Sequence, residues 1–463
     1  MQPPDDARPA KLTGAFERFR KAVPEAVVAQ MLQGRSAFSR GGPLSAWVVV
    51  WLMIFQRLDA KGTLAAAVRE LLLGTVWSFV READGEPAES LSANTSAYSQ
   101  ARSRLPLEVA EKVSDLIFES AWEELKTLSG LDKPMFLLDG SSILLQHTPE
   151  LVAAYPPQQN QHGVSHWPVM RALVAHEVVC GLAMRPCWGP VNGKGARSEQ
   201  ALAKDMLARL PAGCGVMGDR NFGVFSMAYH ASQQNHPCLF RLTEARATKV
   251  NGGCQPSAGT DKVIRWLPTR HDRSGNPELT DQARVEGRLV VCKVKDADGK
   301  PQKLYFFTTL DLTADQLLEV YGYRWRIETD LRSLKREVRL HMLEAKSKAM
   351  VEKELVLAVA AYNLIRATMN QAASALNLDP RRLSFSLAQD TLNAFLPAFA
   401  NAGTDQERQQ LMQKMLRIFA QSKLPDRSNR RSTPREIWPR PCPYPKRKVS
   451  TKRGTRVTKK GES

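Results

Sequence analysis

The sequence predicts a mixed α/β protein with an all-helical N-terminal module and a β-rich segment set into its α/β part. Three observations carry that prediction. Up to about residue 128 apolar residues recur at three- and four-residue steps. From Pro134 they fall into short runs bounded by turn residues and interleaved with helical stretches, and between 243 and about 312 the runs are strand-like throughout. With 463 residues the chain is long enough for roughly three domain-sized units, and a hydrophobic content of 43% excludes a disordered chain.

Residues 1–128 form the helical module. Pro24 suits the start of VPEAVVAQML, Thr63 can cap TLAAAVRELL, and Pro106 opens LEVAEKVSDLIFESAWEEL. The apolar run from Ala46 to Phe55 (AWVVVWLMIF) has 10 residues, short of the ~20 that cross a bilayer, so a buried helix is expected. The segment SANTSAYSQARSRL is polar and carries Arg102 and Arg104, candidate DNA contacts, although such segments also occur on ordinary helix bundles. Residues 129–242 begin the α/β core. MFLLDGSSILLQ, VMRALVAHEVV, GLAMRPCW, CGVMGDRNF and PCLFRLT read as its strands, with SEQALAKDMLARL and VFSMAYHASQQ as helices before and after the fourth. Residues 243–312 (KVIRWLPTR, ARVEGRLVVCKV, QKLYFFTTL) read as a β-rich insertion domain with a hairpin at DADGK. Helix returns in 313–395, the rest of the core, and in 396–425, a C-terminal helical segment.

The 65 Lys+Arg against 47 Asp+Glu leave a net charge of +18, which favours a polyanionic partner. Much of it is concentrated. From Asp426 onward 13 Lys/Arg face 3 Asp/Glu, so the tail 426–463 carries ten of the eighteen charges. Prolines at 434, 439, 441, 443 and 445 keep that tail from building a core, and we expect it to lie along DNA as a nonspecific clamp. The N-terminus MQPPDDARPAK lacks the basic-then-apolar profile of a signal peptide, and seven cysteines without a C-x-x-C pair argue against a disulfide framework or a structural zinc. A cytoplasmic protein with no membrane partner is the expectation.

Asp139 closes an apolar half-strand, FLLD, and Asp219 closes CGVMGD in the same manner. A carboxylate on a buried run is expensive without a partner. One reading gives each acid a metal; the other makes it an ordinary acid at a strand end. The segment YGYRWRIETDLRSLK, 321–335, decides between them. Read as one helix at roughly 100° per residue, it places Arg324, Glu328 and Lys335 within about 60° of Tyr321. Val320, Ile327, Leu331, Leu334 and Val338 form an apolar stripe beside them, which would bury against the sheet and bring Glu328 to its edge. Three acids suit Mg2+, a hard cation that takes oxygen ligands, and two such ions about 3.5–4 Å apart can drive an in-line displacement at phosphorus. Arg324 and Lys335 would grip flanking phosphates, and Tyr321 would donate its hydroxyl to a phosphate oxygen.

The order Tyr321, Arg324, Glu328, Lys335 resembles, without a gap, the signature of the DDE transposases of the insertion-sequence-four family. WRIE around Glu328, LLDGS around Asp139, GDRNFG around Asp219, the AAYNLIRATM helix and SAYSQARSRL are similar to the same family, so the likeness runs from about residue 20 to about 445. The resemblance implies a ribonuclease-H-like core with Asp139 on the first strand, Asp219 just after the fourth and Glu328 on the following helix. These three would be the catalytic and metal-binding residues, with two Mg2+ ions, or Mn2+ as a substitute. It implies double-stranded DNA as substrate, both the inverted terminal repeats of an insertion sequence and the target. It also implies a homodimer in the synaptic complex, a place at the bacterial nucleoid, and cut-and-paste transposition through hairpin ends with a flipped base held by aromatics. Tyr321, Arg324, Trp325, Arg326, Lys335 and Arg220 are the expected DNA contacts of the core. Trp325 and Trp266 are candidates for holding the base, packing being the alternative for both. An insertion domain accounts for the 109 residues that separate Asp219 from Glu328.

A domesticated nuclease, an inactive element remnant and a non-catalytic DNA-binding repressor are the competing readings. GPVNGK, 189–194, is one residue short of a P-loop and reads as a turn. His162 and His166 have the spacing of a helical zinc pair, but Gly163 and Pro168 work against the helix that spacing needs.

Overall fold

A computed structural model of the chain describes residues 14–33, 43–59, 61–73, 92–129, 131, 133–160, 163–295, 299–341, 343–421 and 423–424. The basic tail and His162 of the expected zinc pair lie outside them. The N-terminal part consists of α1 (Ala15–Ala22), α2 (Glu25–Met31), α3 (Ala46–Leu58), α4 (Leu64–Leu72), α5 (Ser96–Arg104) and α6 (Leu107–Leu125). Ser45 caps α3 by accepting from Val48 N at 3.3 Å, and Thr63 caps α4 by accepting from Ala66 N at 3.1 Å. The apolar run from Ala46 is buried along the whole of α3. Its Trp47 and Trp51 take Phe16 and Phe19 against their faces and edges, with the Phe16 and Trp51 centroids 4.6 Å apart.

The α/β part runs β1 (Met135–Leu144), α7 (Pro149–Ala154), β2 (Gln159–Asn160), β3 (Gly163–Val164), β4 (Val169–Glu177), β5 (Cys187–Pro190), α8 (Glu199–Leu207), β6 (Gly215–Gly218), α9 (Phe225–Gln233), β7 (Cys238–Leu242), α10 (Glu244–Val250), β8 (Asp261–Trp266), α11 (Arg270–Gly275), β9 (Val285–Lys295) and β10 (Pro301–Thr308). Eight of these strands form one mixed sheet in the order β5-β4-β1-β6-β7-β10-β9-β8. β1 is antiparallel to β4 and parallel to β6, and β6 is parallel to β7. The parallel pairs require crossovers, which α8 and α9 supply.

Three details differ from expectation. Asp139 sits in the middle of β1, because β4 pairs with that strand as far as Leu144 opposite Val169. The strand expected over GLAMRPCW begins only at Cys187, directly after Pro186, which has no N–H to give a ladder. The β-rich segment builds no sheet of its own; β10 pairs antiparallel with β7, so β10, β9 and β8 prolong the main sheet. β9 and β10 pair as the expected hairpin, with Lys295 opposite Pro301 and Gly299 at φ +79; residues 296–298 of DADGK lie outside the described residues.

Helices complete the chain: α12 (Ala314–Gly322), α13 (Arg324–Arg336), α14 (Lys348–Ala375), α15 (Phe385–Asn401) and α16 (Asp405–Gln421). α14 has 28 residues, is buried from Val351 to Ala373, and packs against α3 and α6. The single helix expected over 321–335 is two. Tyr323 N donates to Val320 O at 3.1 Å and Arg326 N to Tyr323 O at 2.9 Å. These three-residue bonds tighten the turn and shift the phase of α13 relative to α12. Among the described residues no helix is long and apolar enough to cross a membrane. The described cysteines are free thiols, buried except for Cys254.

Candidate active site

The β1–β6 ladder ends with Leu137 opposite Met217, and carrying that register two residues on brings Asp139 level with Asp219. The β6–β7 ladder ends with Gly218 opposite Phe240, so one residue further brings Asp219 level with Arg241. Neighbouring strands lie about 4.8 Å apart, which makes a row of two acids and a guanidinium across the sheet. Asp139 is half-buried and its Oδ1 accepts from Gly140 N at 2.8 Å. Burial, with the Asp219 and Glu199 carboxylates, pushes its pKa from 3.8 up to about 6 against the pull of Gly140 N–H and Lys335. Asp219 is exposed and accepts from Asn221 N at 2.8 Å.

Glu199, the first residue of α8, holds the Asp219 loop from the other side. Asn221 Nδ2 donates to Glu199 Oε2 at 2.5 Å, and Gln200 Nε2 donates to Asn221 O at 2.7 Å. A Cβ at position 140 would lie 2.5 Å from the Glu199 carboxyl, so glycine beside Asp139 leaves the room that Glu199 occupies.

Tyr321 is 6% exposed, and its hydroxyl lies beside the Arg241 guanidinium. Burial raises its pKa while Arg241 and Arg324, close by, lower it. Arg324 Nη1 donates to Glu328 Oε1 at 3.4 Å, and the Glu328 side chain is 48% exposed. Lys335 is half-buried and near enough to act on Asp139. The Arg326 guanidinium lies 4.2 Å over the Tyr323 ring.

Among the described residues no three His, Cys, Asp or Glu side chains stand close enough together to hold a metal. The two aspartates nevertheless fit a divalent cation: both are hard oxygen donors at one level of the sheet, and Asp139 is drawn toward protonation by burial and by the neighbouring Asp219 and Glu199 carboxylates. Glu328 is held elsewhere only by an exposed pair worth about 0.3–0.5 kcal/mol.

The profile of the family described as Transposase DDE domain matches residues 131–364, from just before β1 into α14. The chain belongs to the DDE transposase family. It is also 23% identical over 430 residues, 91% of each chain, to the transposase InsG for insertion sequence element IS4 of Escherichia coli (strain K12). This places it in the insertion-sequence-four group of DDE transposases. The protein is thus an enzyme with DNA as its substrate, of a family whose domains use divalent metal ions.

Other expected contacts of the transposase fare unevenly. Arg102, expected on an open polar face, is instead buried: it is 8% exposed, and its Nη2 donates to Glu354 Oε1 on α14 at 2.5 Å. The same carboxylate takes Arg57 Nη2 at 2.8 Å, so the polar look of α5 hides a buried ion pair. Arg104 is exposed at the end of α5, and Arg220 is exposed beside Asp219. Trp266 is a packing residue, 7% exposed, with its ring against Phe225 and 4.9 Å from that of Phe307. The Trp325 side chain lies outside the described residues. Sequence reasoning missed Glu199 and Arg241. A charge interrupting CLFRLT was a signal for Arg241, whereas Glu199 reads as an ordinary acid in a first helical turn.

Proposed function

We propose that this transposase cuts a strand at each inverted terminal repeat of an insertion sequence and transfers the freed end to target DNA. Its core would be ribonuclease-H-like, with Asp139, Asp219 and Glu328 as catalytic acids. The observation that carries this reading is the adjacency of Asp139 and Asp219 at one register of parallel strands, with Lys335 beside them. The sheet order of β5, β4, β1, β6 and β7, three antiparallel strands continued by two parallel ones, supports the core assignment.

In the first step a water oxygen bonds to phosphorus as the bond from phosphorus to the 3′-oxygen breaks, which leaves a 3′-hydroxyl and a 5′-phosphate. In the second, the oxygen of that hydroxyl bonds to the phosphorus of another phosphodiester, in the opposite strand for a hairpin end or in the target, as the bond from that phosphorus to its own 3′-oxygen breaks; the attacking hydroxyl gives up its proton and the displaced 3′-oxygen takes one, leaving a new 3′-hydroxyl. Divalent cations bound by the three acids, two Mg2+ ions or Mn2+ in their place, would polarise the attacking oxygen and offset charge gathering on phosphorus. Asp139 and Asp219 present their oxygens from the sheet, and Glu328 leaves its weak contact with Arg324 to join them. Arg324 and Arg241 then hold a phosphate against the Tyr321 hydroxyl, which donates to it, and Lys335 neutralises the neighbouring one. Trp325 is the remaining candidate for stacking a flipped base, and Arg326, Arg220 and Arg104 for backbone contacts. Residues 1–128 would dock on terminal-repeat DNA, 243–312 would act as the insertion domain, and two copies would pair the ends at the bacterial nucleoid.

Cleavage of a labelled duplex bearing the element's end tests the proposal. Asp139→Ala, Asp219→Ala and Glu328→Ala should each abolish Mg2+-dependent 3′-hydroxyl formation while end binding persists. Unchanged cleavage in the three variants would sink the mechanism.

A further inference from the structure

We infer that Asp330, two residues beyond Glu328, is a positioning residue that sets the rotation and axial placement of α13, and with them the reach of Glu328; this rests on the catalytic role proposed for Glu328. The Asp330 carboxylate is wholly buried and bracketed by two guanidiniums. Arg366 Nη2 of α14 donates to Oδ1 at 2.5 Å, and Arg381 Nη1 donates to Oδ1 and Oδ2 at 2.6 and 2.5 Å. Each arginine is fixed in turn. Arg381 donates to the carbonyls of Val179 at 2.8 Å and Val178 at 3.0 Å, at the end of β4, and Arg366 Nε donates to the Tyr362 hydroxyl at 2.9 Å. The guanidinium of Arg381 also fills the space where a Cβ at Gly181, φ +77, would stand, 2.7 Å from its Nη1.

The geometry explains why such a device is useful. At ~100° per residue, Asp330 and Glu328 point to nearly opposite sides of α13. The apolar stripe of Ile327, Leu331 and Leu334 is buried between, but apolar contacts are non-directional. A slip by one turn would keep much of that burial and carry Glu328 about 5.4 Å along the axis, away from the aspartates. A fork of charge-assisted hydrogen bonds tolerates no such slip. Stability alone does not call for the triad, since buried ion groups replaced together by apolar residues of similar size are often neutral or stabilising, whereas removal of one member is costly.

That contrast supplies the experiment, on the full chain with terminal-repeat DNA. The triple variant Asp330→Leu, Arg366→Met, Arg381→Met removes every charge of the triad. It should fold with wild-type urea stability and bind end DNA, yet lose protection from hydrogen exchange along α13. Its single-turnover cleavage should fall on the order of 100-fold, the effect expected of a 1 Å misplacement. Wild-type exchange and wild-type cleavage in the folded triple variant would overturn the inference. Should the triple variant not fold, Arg381→Lys keeps the charge but not the fork; it should lower the cleavage rate about tenfold or more, with unchanged affinity for end DNA, and an unchanged rate would equally overturn it. Hydrogen exchange is read without reference to activity, so absence of cleavage by the wild-type protein would count against the catalytic reading and leave the positioning of α13 tested on its own.

Discussion

Substituting Asp139 by Asn should stabilise the protein when no divalent cation is present, although it removes a catalytic acid. Burial and the neighbouring Asp219 and Glu199 carboxylates raise the Asp139 pKa from 3.8 to about 6. A folded-state value above the unfolded one means that the native protein binds the extra proton between those two pH values. Stability is therefore full below pH 3.8, falls as pH rises toward 6, and carries the whole penalty above it. At 1.36 kcal/mol for each pH unit between the two values, the penalty is about 3 kcal/mol, and solvent screening of a half-buried group brings it nearer to ~2 kcal/mol. Asn keeps an oxygen to accept from Gly140 N and carries no charge. Urea denaturation in EDTA should show Asp139→Asn more stable than wild type by roughly that amount at pH 8, with the difference closing by about pH 4. Addition of Mg2+ should reverse the order, since saturation at 100 times its Kd adds ~2.7 kcal/mol to the wild-type protein alone. Equal stabilities at pH 8 in EDTA, or an equal response of both proteins to Mg2+, would refute the electrostatic argument.

Two further outcomes separate residues that touch DNA from residues that hold the fold. Lys335→Ala should weaken binding to end DNA and lower the slope of log affinity against log salt by about one contact, measured by titration between 50 and 200 mM salt; an unaltered slope would leave Lys335 as a surface residue. Arg102→Met should do the reverse. It removes one charged hydrogen bond and leaves Glu354 paired with Arg57, so it should destabilise the chain by about 1.5–3 kcal/mol in a denaturation series with the salt slope unchanged, and a lowered slope would return Arg102 to the DNA contacts.

What could be read from the sequence was what neighbouring residues encode. The strands around Asp139 and Asp219 and the helix burying Ile327, Leu331 and Leu334 follow from local apolar spacing, and the caps at Thr63 and Pro106 fall where their residue types predict. Pairing is another matter. Nothing in QKLYFFTTL says that β10 will join β7 and prolong the sheet rather than close one of its own, and nothing in SAYSQARSR says that Arg102 meets a carboxylate 252 residues away. A polar segment exposed to water and one folded around a buried ion pair have the same composition. The same limit governs the candidate site. What nominates the acids is local: Asp139 and Asp219 stand at apolar runs and Glu328 stands in the spacing from Tyr321 to Lys335, so all three are candidates from the chain alone. Their state is not local. Asp139 is drawn toward protonation first by burial, then by Asp219 across a parallel ladder and by Glu199 from a helix that follows four further strands, and α13 is seated by Arg366 and Arg381, which arrive from later in the chain. Spacing nominates candidates for the reaction, whereas residues that adjust their charge and place are brought in by the fold, and these show themselves in buried ionic contacts rather than in motifs.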